Sequence, residues 1–304
     1  MNQLKGLFFS NLTDLDIPLF SDLTYPIYQS RFRIFRLGPS SPVVAVGVRD
    51  GENPIGLGLA ELDVQTGLGL LLSIYVTPNF RRRGVATALL QQVESESSRR
   101  GCRSLCATFE RDQRHVAYER LLRRCHYPVP VPRSLVGHAH GVRLLEAPWM
   151  RHSILPKAFQ IFPWKNLSSA EEDVIRSHEG RPQWHPPFLS PFNTGWAIEP
   201  LNSLGLRNRG EVVGWQINHR ITSDTIRYTA TFVREDLQSH GLAIPLLANS
   251  IRLHIETSID TFPKATFVIP LAMKRMVLFV RHHMQPFLDE LNDSVESWKK
   301  LEQG

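Results

Sequence analysis

Residues 81–86 read RRRGVA, and an apolar stretch of helical period, VATALLQQVES, follows directly. Three adjacent cations repel one another unless an anion relieves them. Gly84 allows a backbone to approach a ligand closely. The first amides of a helix have no intrahelical acceptor, and the helix dipole adds an attraction for negative charge of about 0.3–1 kcal/mol. Charge-assisted hydrogen bonds from arginine are worth about 1.5–3 kcal/mol each. Arg81, Arg82, Arg83, Gly84, Val85, Ala86 and Thr87 thus form a candidate anion cradle, suited to a phosphorylated small ligand or an acidic peptide. That one of Arg82 and Arg83 is simply solvated stays open.

Groups able to move protons are fewer. Glu61, in GLAELDV, lies near the end of a strand with Leu57 and Leu59 on its face. Apolar neighbours raise a carboxyl pKa, whereas a strand-end carboxylate in water keeps its own. His219, in QINHRI, takes a similar place later in the chain, and His240 falls inside a second loop. Tyr118 sits in RHVAYERLLRR either as a proton donor or as a core aromatic with a wet hydroxyl. His115 and His126 read as solvated or satisfied histidines. Cys102, Cys106 and Cys125 show no zinc spacing and no disulfide framework, so no metal is expected and a reducing cytoplasm is.

The elements that must position these groups alternate strand and helix. SPVVAVGVRD and NPIGLGLAELDV read as strands joined by a DGEN turn, GLGLLLSIYV as a third strand, and 85–99 as a helix. RSLCATF then reads as a strand and RHVAYERLLRR as a helix. PVPVPRSLVGHAHG closes this unit, GVRLLEAP looks like a last short strand, and PWMRHSILPKAF crosses to the next. The second unit repeats the order. LNSLGLRNRG and EVVGWQINHRI form a hairpin, TIRYTATFV a strand, LAIPLLANSIRLHIET a helix, KATFVIP a strand and LAMKRMVLFVRHH a helix. GRPQWHPPFLSPF, at 180–192, reads as a long irregular loop. The repeat shows in a common offset of 157: Arg81, Gly84 and Ala86 fall on Gln238, Gly241 and Ala243. Arg124 and His126 fall on Arg281 and His283, and Ala107-Thr108-Phe109 recurs as Ala265-Thr266-Phe267, one residue out of step. The expected architecture is α/β with mixed sheets, in two tandem domains at 1–150 and 151–304.

A strand, then Arg/Gln-x-x-Gly-x-Gly/Ala, then an amphipathic helix resembles motif A of the GNAT acyltransferase superfamily. The match is IYVTPNFRRRGVATALL in the first half and FVREDLQSHGLAIPLL in the second. The resemblance implies two tandem GNAT-like domains. It implies acyl-CoA as co-substrate, its diphosphate on 81–87 and its pantetheine against 72–76, with backbone groups of Ile74, Tyr75 and Val76 as partners. Gln238, His240, Gly241 and Ala243 are the second-half counterparts, in a copy whose Glu235 and Asp236 oppose phosphate and which could instead shape an acceptor site. The implied reaction moves an acyl group to an amine, either a small molecule or a Lys/Orn side chain of a peptide. A non-catalytic CoA-binding or scaffold protein is the alternative. Leu122 and Phe279 stand where the family often has a proton-donating tyrosine, and Tyr118, one turn earlier, can substitute. Glu61 and His219 are the candidate bases. Gly56, Gly58 and Ala60 share a face, leaving room for a fatty acyl chain or for tight helix packing.

Composition limits the partners. The 304 residues carry a net charge of +6, 42% hydrophobic and 21% charged residues, which fits a globular chain of two domains. No nucleic-acid module accompanies the basic residues, and the longest apolar run, GLGLLLSIYV, is too short to span a bilayer. The oligomeric state is not encoded in any motif.

Overall fold

The computed structural model describes residues 4–25, 28–29, 32, 36–38, 41–152, 154–181, 184–192 and 197–302. Residues 182–183 of the expected loop at 180–192, and residue 153 of the expected crossing segment, lie outside them. Twelve strands occur among the described residues: β1 (Leu7–Asn11), β2 (Val43–Asp50), β3 (Asn53–Asp63), β4 (Leu68–Val76), β5 (Ser104–Glu110), β6 (Val131–His140), β7 (Phe159–Pro163), β8 (Leu204–Asn208), β9 (Glu211–Arg220), β10 (Thr225–Val233), β11 (Lys264–Pro270) and β12 (Glu290–Lys300).

Two compact units result, one from Met1–Arg133 with Asp293–Gly304 and one from Ser134–Asn292. In the first, strand order is β1-β2-β3-β4-β5-β12, with β4 and β5 parallel and the other pairs antiparallel. The helix Val85–Arg99 buries Val85, Leu89, Leu90 and Val93, spaced at three to four residues, against one face of this sheet. Leu12, Phe20, Phe32 and Leu37 of the N-terminal segment cover Val43, Ala45, Leu57 and Leu59 on the other face. Burial from both sides explains why β2 reads as an unbroken apolar run. In the second unit the order is β6-β11-β10-β9-β8-β7, with β10 and β11 parallel, and the helix Ala243–Ser258 packs on it through Leu247, Ala248 and Ile251.

The units do not divide at residue 150, because the chain exchanges strands. PVPVPRSLVGHAHG, expected to close the first unit, contains β6, whose residues 134–140 pair with β11 of the second. The place beside β5 is taken by the chain's last strand, with Val295 opposite Phe109 and fully buried. Lys299 Nζ bonds Glu94 Oε2 at 2.6 Å and lies over the Tyr127 ring, fixing β12 to the Val85–Arg99 helix. GVRLLEAP is a short helix, Gly141–Leu144, rather than a strand. The helix Ser169–Ser177 was marked by a signal, Ser168 with Glu171 three residues on, and the two form a reciprocal capping box.

Candidate active site

Strands β4 and β5 run parallel only from Leu68 opposite Ser104 to Leu71 opposite Ala107. Beyond that pair they separate. Leu72 is bulged out of the β3–β4 ladder, since Leu59 faces Ser73 while Ala60 faces Leu71. Residues 73–76 are thus paired with β3 on one side, and residues 72–76 have no β5 ladder partner on the other. Such an edge offers backbone donors and acceptors to an extended ligand.

At the open end of β4 the chain turns through Pro78–Phe80 into the arginine loop. Arg81 Nε donates to the Val76 carbonyl at 2.8 Å, and its guanidinium lies 5.7 Å from the Tyr75 ring centre. Arg83 lies over Phe80 at 5.2 Å. Arg82 takes a left-handed φ of 64°, and Gly84, at φ 85°, precedes the helix. The N–H groups of Gly84, Val85, Ala86 and Thr87 find no acceptor among the described residues; the first amide bonded back is Ala88, to Gly84. Arg82 and Arg83 are exposed and have no carboxylate partner among the described residues. Open amides and unpaired guanidinium groups converge at one turn, an arrangement that fits diphosphate. Ile74, Tyr75 and Val76 supply the free strand edge leading to it.

The second unit repeats this geometry step for step. β10 and β11 pair from Thr225 opposite Lys264 to Tyr228 opposite Phe267, then part, and Thr229 is bulged as Leu72 is. Gln238 Nε2 donates to the Val233 carbonyl at 3.0 Å, and Gly241 takes φ 68°. The parallel register also sets Ala107 against Phe267 in the two copies, so the recurrence of Ala-Thr-Phe at 265–267 is not the structural equivalence. The loop itself differs. Gly241 N–H is bonded to Gln238 and Ile244 N–H to Gly241, so two of the four amides equivalent to 84–87 are already used. Ala243 begins the helix, and the approach is acidic: Arg234 is held by Asp236 and Glu211, with Glu235 adjacent. His240 is exposed, its ring 6.5 Å from Phe159.

Among the proton-moving groups, Tyr118 packs edge-on against Phe109 at 5.3 Å from the Val116–Arg124 helix. Its hydroxyl has no hydrogen-bond partner among the described residues. Burial raises the phenol well above its ordinary value, with Tyr25, Tyr28 and Cys106 adding to the effect, so it keeps its proton at neutral pH. Leu122, at the family's tyrosine place, is core, 1% exposed. Glu61 is half-buried on β3, opposite Leu70 and Val43. His219 lies in the other unit, buried, with Nδ1 sharing a hydrogen bond with Thr229 Oγ1 at 2.8 Å. Burial, then Arg227, lower its pKa. The structure thus gathers Tyr118 and Glu61 into the unit of the arginine loop, and places His219 in the repeat.

The small-residue face is already filled at Gly56 and Gly58. A Cβ on Gly58 would stand 2.7 Å from Val93 and 3.3 Å from Leu89, and one on Gly56 would stand 2.9 Å from the Tyr75 carbonyl. The Val85–Arg99 helix fills the strip at Gly58, and neighbouring strand residues, among them Val48, crowd it at Gly56. Sequence reasoning also missed Glu296, which β12 sets opposite Thr108, the first β5 residue past the last β4–β5 pair. Nothing local in ELNDSVESWKK announced a strand, let alone its neighbour. Among the described residues no cluster of three metal ligands occurs, and no helix is long and apolar enough to cross a membrane.

Fold and site define a class, the acyltransferase fold that splits two parallel strands above a helix-capped anion loop. Residues 9–127 match the model of the acetyltransferase (GNAT) family. Over the whole chain the fold is similar to a tandem GNAT protein from the clavulanic acid biosynthesis pathway, at TM-score 0.73, 12% identity and coverage of 98% of this chain and 99% of that one. A GCN5-related N-acetyltransferase from Sphaerobacter thermophilus matches at 0.62 and 14% identity, covering 99% and 97%. A protein of Enterococcus faecalis V583 described as a probable N-acyltransferase matches at 0.54 and 12%, covering 98% and 73%. No curated protein sequence matches the chain.

Proposed function

We propose that the protein transfers a short acyl group from acyl-CoA to an amine, with the first unit holding the donor. One observation carries this reading: among the described residues the amides of 84–87 find no acceptor and Arg82 and Arg83 no carboxylate, at the end of a strand whose edge is open from 72 to 76. The GNAT family match over 9–127 and neighbours named as N-acetyltransferases support it.

In the proposed reaction the amine lone pair forms the new C–N bond and the C–S bond breaks. The amine must first lose a proton, which at neutral pH costs about 4 kcal/mol for a lysine-like group. Glu61, directly or through water, is positioned on the sheet to take it. Tyr118, neutral and with an uncommitted hydroxyl, gives its proton to the departing thiolate. The filled strip at Gly56 and Gly58 favours acetyl over a fatty chain. The second unit, with fewer free amides and an acidic loop, contributes structure or acceptor recognition rather than a second donor site.

Thiol release from acetyl-CoA in the presence of a panel of primary amines tests the reading. Amine-dependent release supports it. Tight CoA binding without release for any amine favours the CoA-binding scaffold, and no CoA binding at all removes the first unit as a donor site.

A further inference from the structure

The exchanged strand brings a distinct set of side chains to the point where β4 and β5 part. Directly paired residues share a sheet face. Leu70, Cys106 and Trp298 stand in one such row, and Thr108 and Glu296 form the next row, toward the opening. Leu70 is 46% and Trp298 38% exposed, and Thr108 is exposed too, because the N-terminal segment covers β2 and β3 on this face. Two large exposed hydrophobics in one row, beside the opening, differ from the scattered single ones normal on a surface.

Glu296 closes this apolar strip. Its Oε1 accepts from Arg133 Nε at 2.6 Å, and its side chain stays 23% exposed. Glu61, Glu110 and Lys300 occupy the same face, which Arg133 reaches through its bond to Glu296. Phe109, and Tyr118 against it, belong to the opposite face, where the Val85–Arg99 helix packs. The Glu296 side and the Tyr118 side thus border the separated strands from the two faces of the sheet.

We propose that Glu296, Trp298 and Leu70 select the acceptor: a primary ammonium carried on an apolar body, its charge facing the Glu296 carboxylate and its hydrocarbon on Trp298 and Leu70. This rests on the acyl-transfer reading of the same unit. Glu296 binds and positions the amine, and release of the amine's proton falls to Glu61 or water.

Binding of n-hexylamine and 1-hexanol to the CoA-saturated protein, followed by ligand-observed NMR, tests this without any need for turnover. The wild type is expected to bind hexylammonium at least tenfold more tightly than hexanol. Glu296→Gln removes that preference, Glu296→Asp restores part of it, and Trp298→Ala weakens both ligands about fivefold. CoA affinity by calorimetry stays within twofold of wild type in all three variants, which also reports that they fold. Equal binding of amine and alcohol by the wild type, or wild-type hexylammonium affinity in Glu296→Gln, overturns the proposal. Failure of the wild type to bind CoA would instead overturn the donor-site reading, and the amine measurement without CoA would still decide the role of Glu296.

Discussion

Arg81 and Gln238 make the same hydrogen bond in the two repeats: each side chain reaches back to the carbonyl five residues earlier, Val76 at 2.8 Å and Val233 at 3.0 Å. The motif position that tolerates either residue type is thus an anchor between strand end and loop. In Arg81 the Nε–H serves this bond, and the remaining guanidinium N–H groups are available to a ligand. Arg81→Gln should then keep the loop in place and bind CoA within about threefold of wild type. Arg81→Ala should lose the anchor, worth about 1 kcal/mol, and weaken CoA about five- to tenfold. Calorimetry of both variants decides it, and equal losses would mean that charge rather than anchoring matters at this position.

Arg82 and Arg83 lack the anchoring hydrogen bond of Arg81, and among the described residues neither has a carboxylate partner. Replacing both by alanine should weaken CoA ten- to a hundredfold and flatten the dependence of affinity on salt, since exposed charges are screened. Replacing Gln238 and His240 in the second loop should leave CoA affinity unchanged. Gly84→Glu should abolish binding for a different reason from crowding. A Cβ there meets open space, so the damage comes from a left-handed φ of 85° and from a carboxylate among the phosphate donors.

Tyr118→Phe keeps the edge-on contact with Phe109 and deletes only the hydroxyl. If that hydroxyl protonates the thiolate, kcat should fall about a hundredfold with the KM for acetyl-CoA unchanged. Because burial raises the phenol, the wild-type rate should show no loss from Tyr118 ionisation up to pH 10. A fall in kcat below twofold would leave Tyr118 as a core aromatic.

Much of the proposed donor site could be read from local pattern. The helix from Val85 to Arg99 and strands β2 to β4 follow from apolar period and turn residues, and the spacing of Arg81 and Gly84 located the loop. The repeat at an offset of 157 was legible because loop, anchor and glycine are all local features. What was not legible was non-local. Val295 and Ser297 alternate correctly for a strand, but in a segment of polar residues a two-residue period has no apolar partner to announce it. Its place beside β5 is held by Lys299 meeting Glu94, residues 205 positions apart. Glu296 was invisible for the same reason, and Gly58 left two readings open because a stripe of small residues reads alike whether a ligand or a helix fills the space.

Three histidines of the second unit are buried with lowered pKa values. Burial is the leading cause for His185, His219 and His254, against an ordinary value of 6.5. His254 is committed on both nitrogens, to Tyr228 and to the Phe262 carbonyl. The unfolded chain binds protons on these rings near pH 6.5 while the folded chain resists until lower pH. Their contribution to stability is therefore complete above about pH 6.5 and is lost as the pH falls from there through their depressed folded values. Thermal unfolding should show a level midpoint from pH 7 to 8 and a drop on the order of 5 °C by pH 5. His254→Asn should flatten part of that slope. A midpoint constant down to pH 5 would mean that these rings titrate normally in the folded state.

The last strand carries a stronger consequence. Ending the chain after Asp293 deletes Val295, fully buried opposite Phe109, and the Lys299–Glu94 bond, leaving β5 as an edge and Glu94 buried without its cation. Lost apolar burial and an uncompensated carboxylate together cost on the order of 5 kcal/mol, a large part of the stability of a unit this size. The truncated chain should lose CoA binding although every residue of the arginine loop remains. Adding a peptide of residues 290–302 should restore it, because the strand supplies a complete ladder and the Lys299 contact without needing its covalent connection. Glu94→Gln in the truncated chain should recover part of the stability, by removing the stranded charge, but not the binding. CoA affinity of the truncated chain equal to that of the full chain would show that β5 and the opening beside β4 hold their shape without β12.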